Sequence, residues 1–241
     1  TMVSGGTSLA ARATQTHIAV LSGRSIGMLQ ISLKVSSSIV PLHVYGRTAV
    51  DLPRVKAKAV QVEGFMHRMP AAHRSALYPI FVVDRKPGGI AKDGGYWTPG
   101  EVHLWLGREH ITGVPDADIR TYVLSRAGTG IIAMTATAWE SPNFERALFH
   151  EIAHCLDTTL GITPQGATVN DYLGVPNPGA NRVGEFAAQA YQRFILGRMI
   201  CQQPPLPADQ SLAAATARVI QLLRRSPAFR SLPANWQPGD G

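Results

Sequence analysis

The feature that most narrows what this chain can fold into is the pentapeptide His150-Glu151-Ile152-Ala153-His154, set inside a stretch of helical periodicity. Residues i and i+4 lie one turn apart on the same face of a helix, so two imidazoles placed this way can share one ion, with Glu151 leaning from the adjacent part of that face. The flanks fit a helix. Ser141 is a favoured N-cap and Pro142 a favoured first helical residue. Ala147, Leu148, Ile152, Ala153 and Leu156 supply an apolar stripe, and Gly161 supplies a C-terminal stop after about Leu160. The same spacing also fits an amphipathic helix carrying two surface histidines.

A catalytic zinc takes three protein donors and keeps a fourth position open. The spacing therefore points to one Zn2+ held by His150, His154 and a later residue, with Glu151 as the base that moves a proton from water to a leaving amine. Metal-bound imidazoles must be neutral, so activity is expected to fall in acid. Glu185 is the first choice for the third donor. It sits near the start of a predicted helix, Val183 to about Met199, where Ala187, Ala188 and Ala190 permit close packing.

The stretch HEIAHCLD, followed about thirty residues later by EFAAQAYQRF, resembles the gluzincin metallopeptidases. Within them it is most similar to the anthrax-lethal-factor-like and Pro-Pro endopeptidase group. The resemblance covers residues 141–195. It implies His150, His154 and Glu185 as metal ligands, Glu151 as general base, and Asp157 as outer support for the ligands. In that group a tyrosine seven residues before the Glu ligand binds the transition-state oxyanion. Here that position is Pro178, and Tyr172 of the same loop is the substitute. A looser likeness of Gly166–Gly174 to aspzincins offers Asp171 as an alternative third ligand, and Asp157 is a further one. Zincins commonly bind peptide as an added strand. This makes the alternating segment Glu101–Gly107 the expected edge strand, with Val102, His103, Leu104 and Trp105 as substrate-binding residues and Tyr96 and Trp97 in the preceding loop.

The rest of the chain reads as α+β, zincin-like: a small twisted mixed sheet on the His helix, then a mainly helical C-terminal subdomain. Residues 1–16 read as a flexible leader and 17–241 as one domain, divided into 17–161 with the sheet and metal helix, 162–225 with the third ligand, and a loose tail at 226–241. Ile26–Val35 and Ile39–Tyr45 form an expected hairpin, Pro53 to Met69 a helix, Tyr78–Asp84 a buried strand, 85–100 a Gly- and Pro-rich loop, and Asp116–Ala127 a helix. Residues 131–138 are apolar but of undecided type. Asp209 is the expected cap of a last helix reaching about Arg225.

Composition limits the alternatives. The net charge of +7 comes from scattered residues without the dense basic run of a nucleic-acid arm, and no apolar run is long enough for a membrane span. Cys155 and Cys201 form no disulfide framework, and His103 and His110 match no metal spacing. No secretory signal peptide is visible at the N-terminus. The expectation is a monomeric zinc endopeptidase acting on peptide or protein, secreted or translocated into a host cell as a bacterial toxin or effector. A non-catalytic zincin-fold binding protein and an aspzincin-type protease are the alternatives.

Overall fold

The fold is given by a computed structural model that describes residues 13–21, 24–45, 52–83, 102–106, 130–204 and 206–240. By the density of its internal contacts the chain divides into two units. One comprises Thr1–Gly64 with Tyr78–Phe144, the other Phe65–Leu77 with Glu145–Gly241.

The first unit carries a mixed sheet of strands β1 (Ala13–Leu21), β2 (Arg24–Val35), β3 (Ser38–Tyr45), β4 (Ile80–Val83), β5 (Val102–Leu106) and β6 (Gly130–Thr135) in the order β1-β2-β3-β4-β6-β5. The pairs β1/β2, β2/β3 and β5/β6 are antiparallel, while β3/β4 and β4/β6 are parallel. The expected hairpin is present, with Val35 opposite Ser38 and Ser36 turning at a φ of 54°. Its buried residues alternate, Ile31, Leu33 and Val35 on β2 and Val40, Leu42 and Val44 on β3, as a strand with one face in the core requires. By contrast Ile80, Phe81 and Val82 are all buried, because β4 has parallel neighbours on both sides and apolar cover on both faces. Helix α1 (Leu52–Met66, its last two residues counted with the second unit) buries Val55, Ala59, Val62 and Met66 at helical spacing. Its Glu63 accepts a 2.8 Å hydrogen bond from the Lys34 amide of β2. The undecided segment 131–138 divides between β6 and the short helix α3 (Ala136–Glu140), whose Trp139 is buried against Phe144. The predicted loop 85–100 and helix Asp116–Ala127 lie outside the described residues.

The second unit is helical: α2 (Ala71–Ser75), α4 (Phe144–Thr159, its first residue counted with the first unit), a 3-10 turn at Val169–Tyr172, α5 (Val183–Ile195), α6 (Leu212–Arg224) and α7 (Pro227–Arg230). The His-bearing helix thus groups with the C-terminal helices rather than with the sheet. Its Phe149 packs edge-on against Phe65 at 5.9 Å. Helix α4 begins at Phe144. Ser141 starts the preceding turn, accepting the Phe144 amide on its carbonyl and the Asn143 amide on its hydroxyl. Gly161 ends α4 as expected. With φ 80° it turns left-handed, and both Leu160 and Gly161 donate to the Leu156 carbonyl.

Ser211, not Asp209, caps α6, accepting the Ala214 amide at 3.1 Å. A hydroxyl immediately before the helix reaches the third amide, whereas Asp209 lies two residues too early. Of the stretch 226–241, expected to be a loose tail, residues 226–240 are described and are packed. Phe229 and Trp236 are buried with Phe194 in one aromatic cluster, and Arg224 donates to the carbonyls of Ala234 and Trp236. Those two aromatics, spaced among prolines, secure a segment whose composition suggested disorder. Of the expected leader, residues 13–16 pair in β1 and residues 1–12 lie outside the described ones. With strands in one unit and helices dominating the other, the class is α+β.

Candidate metal centre

Helix α4 is apolar on the face formed by Leu148, Phe149, Ile152, Ala153 and Leu156, all buried. That burial fixes its rotation, and His150 and His154 project together from its half-buried side. Helix α5 buries Phe186, Ala187, Ala188, Ala190 and Tyr191, leaving Glu185 half-buried in its first turn.

The three side chains converge. Glu185 Oε2 lies 3.1 Å from His150 Nε2 and 3.3 Å from His154 Nε2, and the two Nε2 atoms are 3.2 Å apart. Tetrahedral zinc, with donors at about 2.0–2.2 Å, separates them from one another by roughly 3.3–3.6 Å. The donor triangle therefore has nearly the edge lengths of one face of a zinc tetrahedron, and the donor set of two imidazoles and a carboxylate suits that ion. These three are the one metal-capable group of histidines, cysteines and carboxylates among the described residues.

Protonation favours the same use. Burial, together with the neighbouring His154, lowers the pKa of His150 against the opposing pull of Glu185 and Gln189. Burial alone would raise Glu185, but the positive charges and hydrogen bonds of His154 and His150 outweigh it and hold the carboxyl below its usual value. A neutral imidazole and an ionised carboxylate are the forms that bind metal. Compared with known proteins, the chain matches no family model, no curated protein and no solved structure.

Glu151 lies beside the three donors, lining with His150 an open cavity of about 300 Å³. The alternative ligands are occupied elsewhere. Asp171 accepts the Thr168 amide at 2.7 Å and the Thr168 hydroxyl at 2.9 Å, closing a capping box on the 3-10 turn. Asp157 accepts the amides of Ile162 and Thr163 at 2.9 and 2.8 Å and the Thr163 hydroxyl at 3.0 Å. It fastens the chain leaving α4, and these partners are not metal donors. Tyr172 is 1 % exposed, its ring beside Phe186, and its hydroxyl finds no partner among the described residues. Burial and the charges of Asp157 and Asp171 raise its pKa far above the ordinary value. Tyr172 is not among the residues that line the cavity beside His150 and Glu151.

Val102, His103, Leu104 and Trp105 lie in β5, the terminal strand of the six-strand order, as the edge-strand expectation required. Their side chains, with Tyr96, Trp97 and His110, lie outside the described residues. Both cysteines are buried and neither is in a disulfide. Sequence reasoning passed over Arg146, Gln189, Gln192 and Arg193, which also line the cavity. The signal was available: Arg146 precedes His150 by one helical turn and Gln189 follows Glu185 by one, each on its ligand's face.

Proposed function

We propose that this protein is a zinc-dependent endopeptidase of zincin type, with His150, His154 and Glu185 as the metal ligands and Glu151 as the general base. The observation that carries this reading is the triangle of donor atoms with edges of 3.1–3.3 Å, built from two helices, with Glu151 in the adjoining cavity. A bound zinc would supply Lewis acidity, polarising a peptide carbonyl and making water a stronger acid. Glu151 would accept the proton of the attacking water and deliver it to the departing amine nitrogen, so that one carboxylate serves as base and then as acid. His150, its pKa lowered by burial and by the neighbouring His154, contributes a lone pair alongside that of His154, and Glu185 contributes the negative charge that raises affinity for a dication. The likeness of residues 141–195 to gluzincins supports the same assignment.

Metal analysis of the purified protein, with digestion of a peptide library, is the test. One zinc per chain is expected. Glu185→Ala should weaken zinc binding beyond the roughly 10–100-fold typical of losing an outer-sphere partner. Glu151→Gln should keep the zinc and lower turnover by about 10²–10⁴-fold. Protein that stays metal-free in zinc-replete buffer would overturn the proposal. A Glu151→Gln variant with undiminished biological activity would favour a non-catalytic, protein-binding role for the same fold.

A further inference from the structure

The cavity beside the donor triangle has a chemical character that peptide hydrolysis does not require. It shares His150 and Glu151 with the candidate centre and adds Arg146, Arg193 and Arg198 together with the amide of Gln192. Three guanidiniums border about 300 Å³ of space. Three carboxylates are close. Glu145 is bound to Arg198 at 2.5 Å, Glu151 lines the cavity and Glu185 belongs to the donor triangle, so the arginines match the carboxylates and a bound dication would leave positive charge in excess. Two of the arginines, Arg193 and Arg198, are held in place. Arg193 Nε donates to the Met199 carbonyl at 2.9 Å and one of its Nη groups donates to Gln202 Oε1, which leaves further N–H groups of the five that a guanidinium carries. Burial and the charges of Arg146 and Arg198 hold the Arg193 pKa below its usual value, the mark of like charges crowded on one wall.

The second observation is independent of charge. Gln192 is 3 % exposed, and its Nε2 is buried without a hydrogen-bond partner among the described residues. A buried amide donor left unmatched is costly unless something else completes it. A carboxylate entering the cavity would meet the arginines, and a small shift of the Gln192 side chain, which belongs to the same lining, would let it accept from that amide as well.

We infer that this cavity is a specificity pocket for a carboxylate of the substrate chain, an acidic side chain or a free C-terminus, close to the scissile bond. The inference rests on the peptidase reading above. The offset follows from helix geometry. Arg146 lies one turn, about 6 Å, along α4 from His150, and Arg193 lies about 12 Å along α5 from Glu185. An extended peptide advances about 3.4 Å per residue, so the recognised group stands within about three residues of the bond cleaved.

The test uses the zinc-loaded full chain carrying Glu151→Gln, which should bind peptide without cutting it. Probes are Ala-rich hexapeptides with Glu or Gln scanned through each position, each made with an amidated and with a free C-terminus. At low ionic strength, tighter binding by roughly 10–100-fold is expected for Glu over Gln at one or two neighbouring positions. A preference that follows the free terminus instead would assign the pocket to the main-chain carboxylate. Arg146→Gln, at an exposed helix position where folding should be preserved, is expected to erase most of the discrimination, and Arg146→Lys to restore part of it. Equal affinity for Glu and Gln peptides of both terminal forms, or no measurable affinity for any, would overturn the pocket. If discrimination is present but the unsubstituted zinc protein cleaves none of the peptides, the pocket stands and the peptidase reading fails.

Discussion

His73 offers a quantitative test of how the helical unit is held together. Its ring is fully buried, with Nε2 2.8 Å from the Ala228 carbonyl and Nδ1 2.9 Å from the Tyr191 hydroxyl. A carbonyl can only accept, so Nε2 carries the proton and Nδ1 accepts from the tyrosine. Burial drives the pKa from 6.5 down to about 4, against a smaller opposing effect of the bond to Ala228. Above pH 6.5 the ring is neutral in both native and unfolded chains and contributes no slope. Between pH 6.5 and about 4 the unfolded chain binds more protons, so stability falls with acidification, and below about 4 the slope vanishes. One pKa unit corresponds to about 1.4 kcal/mol, so His73 alone should remove about 2 kcal/mol on going from about pH 7.5 to about pH 5. The assay is urea unfolding at several pH values in the presence of chelator, comparing the natural protein with His73→Gln, whose amide can donate to Ala228 and accept from Tyr191 but does not titrate. His150 and His154 contribute equally to both proteins and cancel in the difference. The two curves should converge toward acid pH as the natural protein loses its advantage. Parallel curves, or a His73 ring signal titrating near pH 6.5 by NMR, would refute the argument.

Three further outcomes follow from the site and its supports. Because burial and His154 lower the pKa of His150, protons should compete with zinc only below about pH 6.5; affinity measured by chelator competition should be flat at neutral pH and fall on acidification. Gly161→Ala should destabilise the protein by about 1–3 kcal/mol in thermal or urea melts, since the position is left-handed and a Cβ there would lie 3.2 Å from Pro227. Asp157→Asn should cost about 1–3 kcal/mol of stability by weakening its bonds to the Ile162 and Thr163 amides while leaving zinc affinity within a few-fold; a large loss of zinc would instead mark Asp157 as a support of the ligands.

The donor residues were legible in the sequence because helix geometry makes them so. Residues 150 and 154 must share a face wherever the helix packs, and Glu185 opens a second amphipathic helix rich in alanine. The strands were legible where alternation or a compact apolar run marked them, as in β2, β3 and β4. What escaped depended on partners distant in the chain. His73 sits in the unremarkable run Ala71–Ser75, and its two partners lie 118 and 155 residues away. The resemblance assigns Asp157 and Tyr172 to the site; spacing alone does not reveal that the Asp157 carboxylate holds the turn after α4 and that the Tyr172 ring packs beside Phe186 of α5. The packed C-terminal stretch was missed because its prolines outweighed Phe229 and Trp236 in a reading by composition.

The donors belong to two helices, and 31 residues separate His154 from Glu185. An ion gripping both would act as a reversible cross-link around that span, withdrawing from the unfolded chain the freedom of a long loop much as a disulfide does. Unlike a disulfide, it would come and go with the supply of free zinc, so this half of the chain would be sturdy in a zinc-rich compartment and vulnerable to other proteases in a poor one.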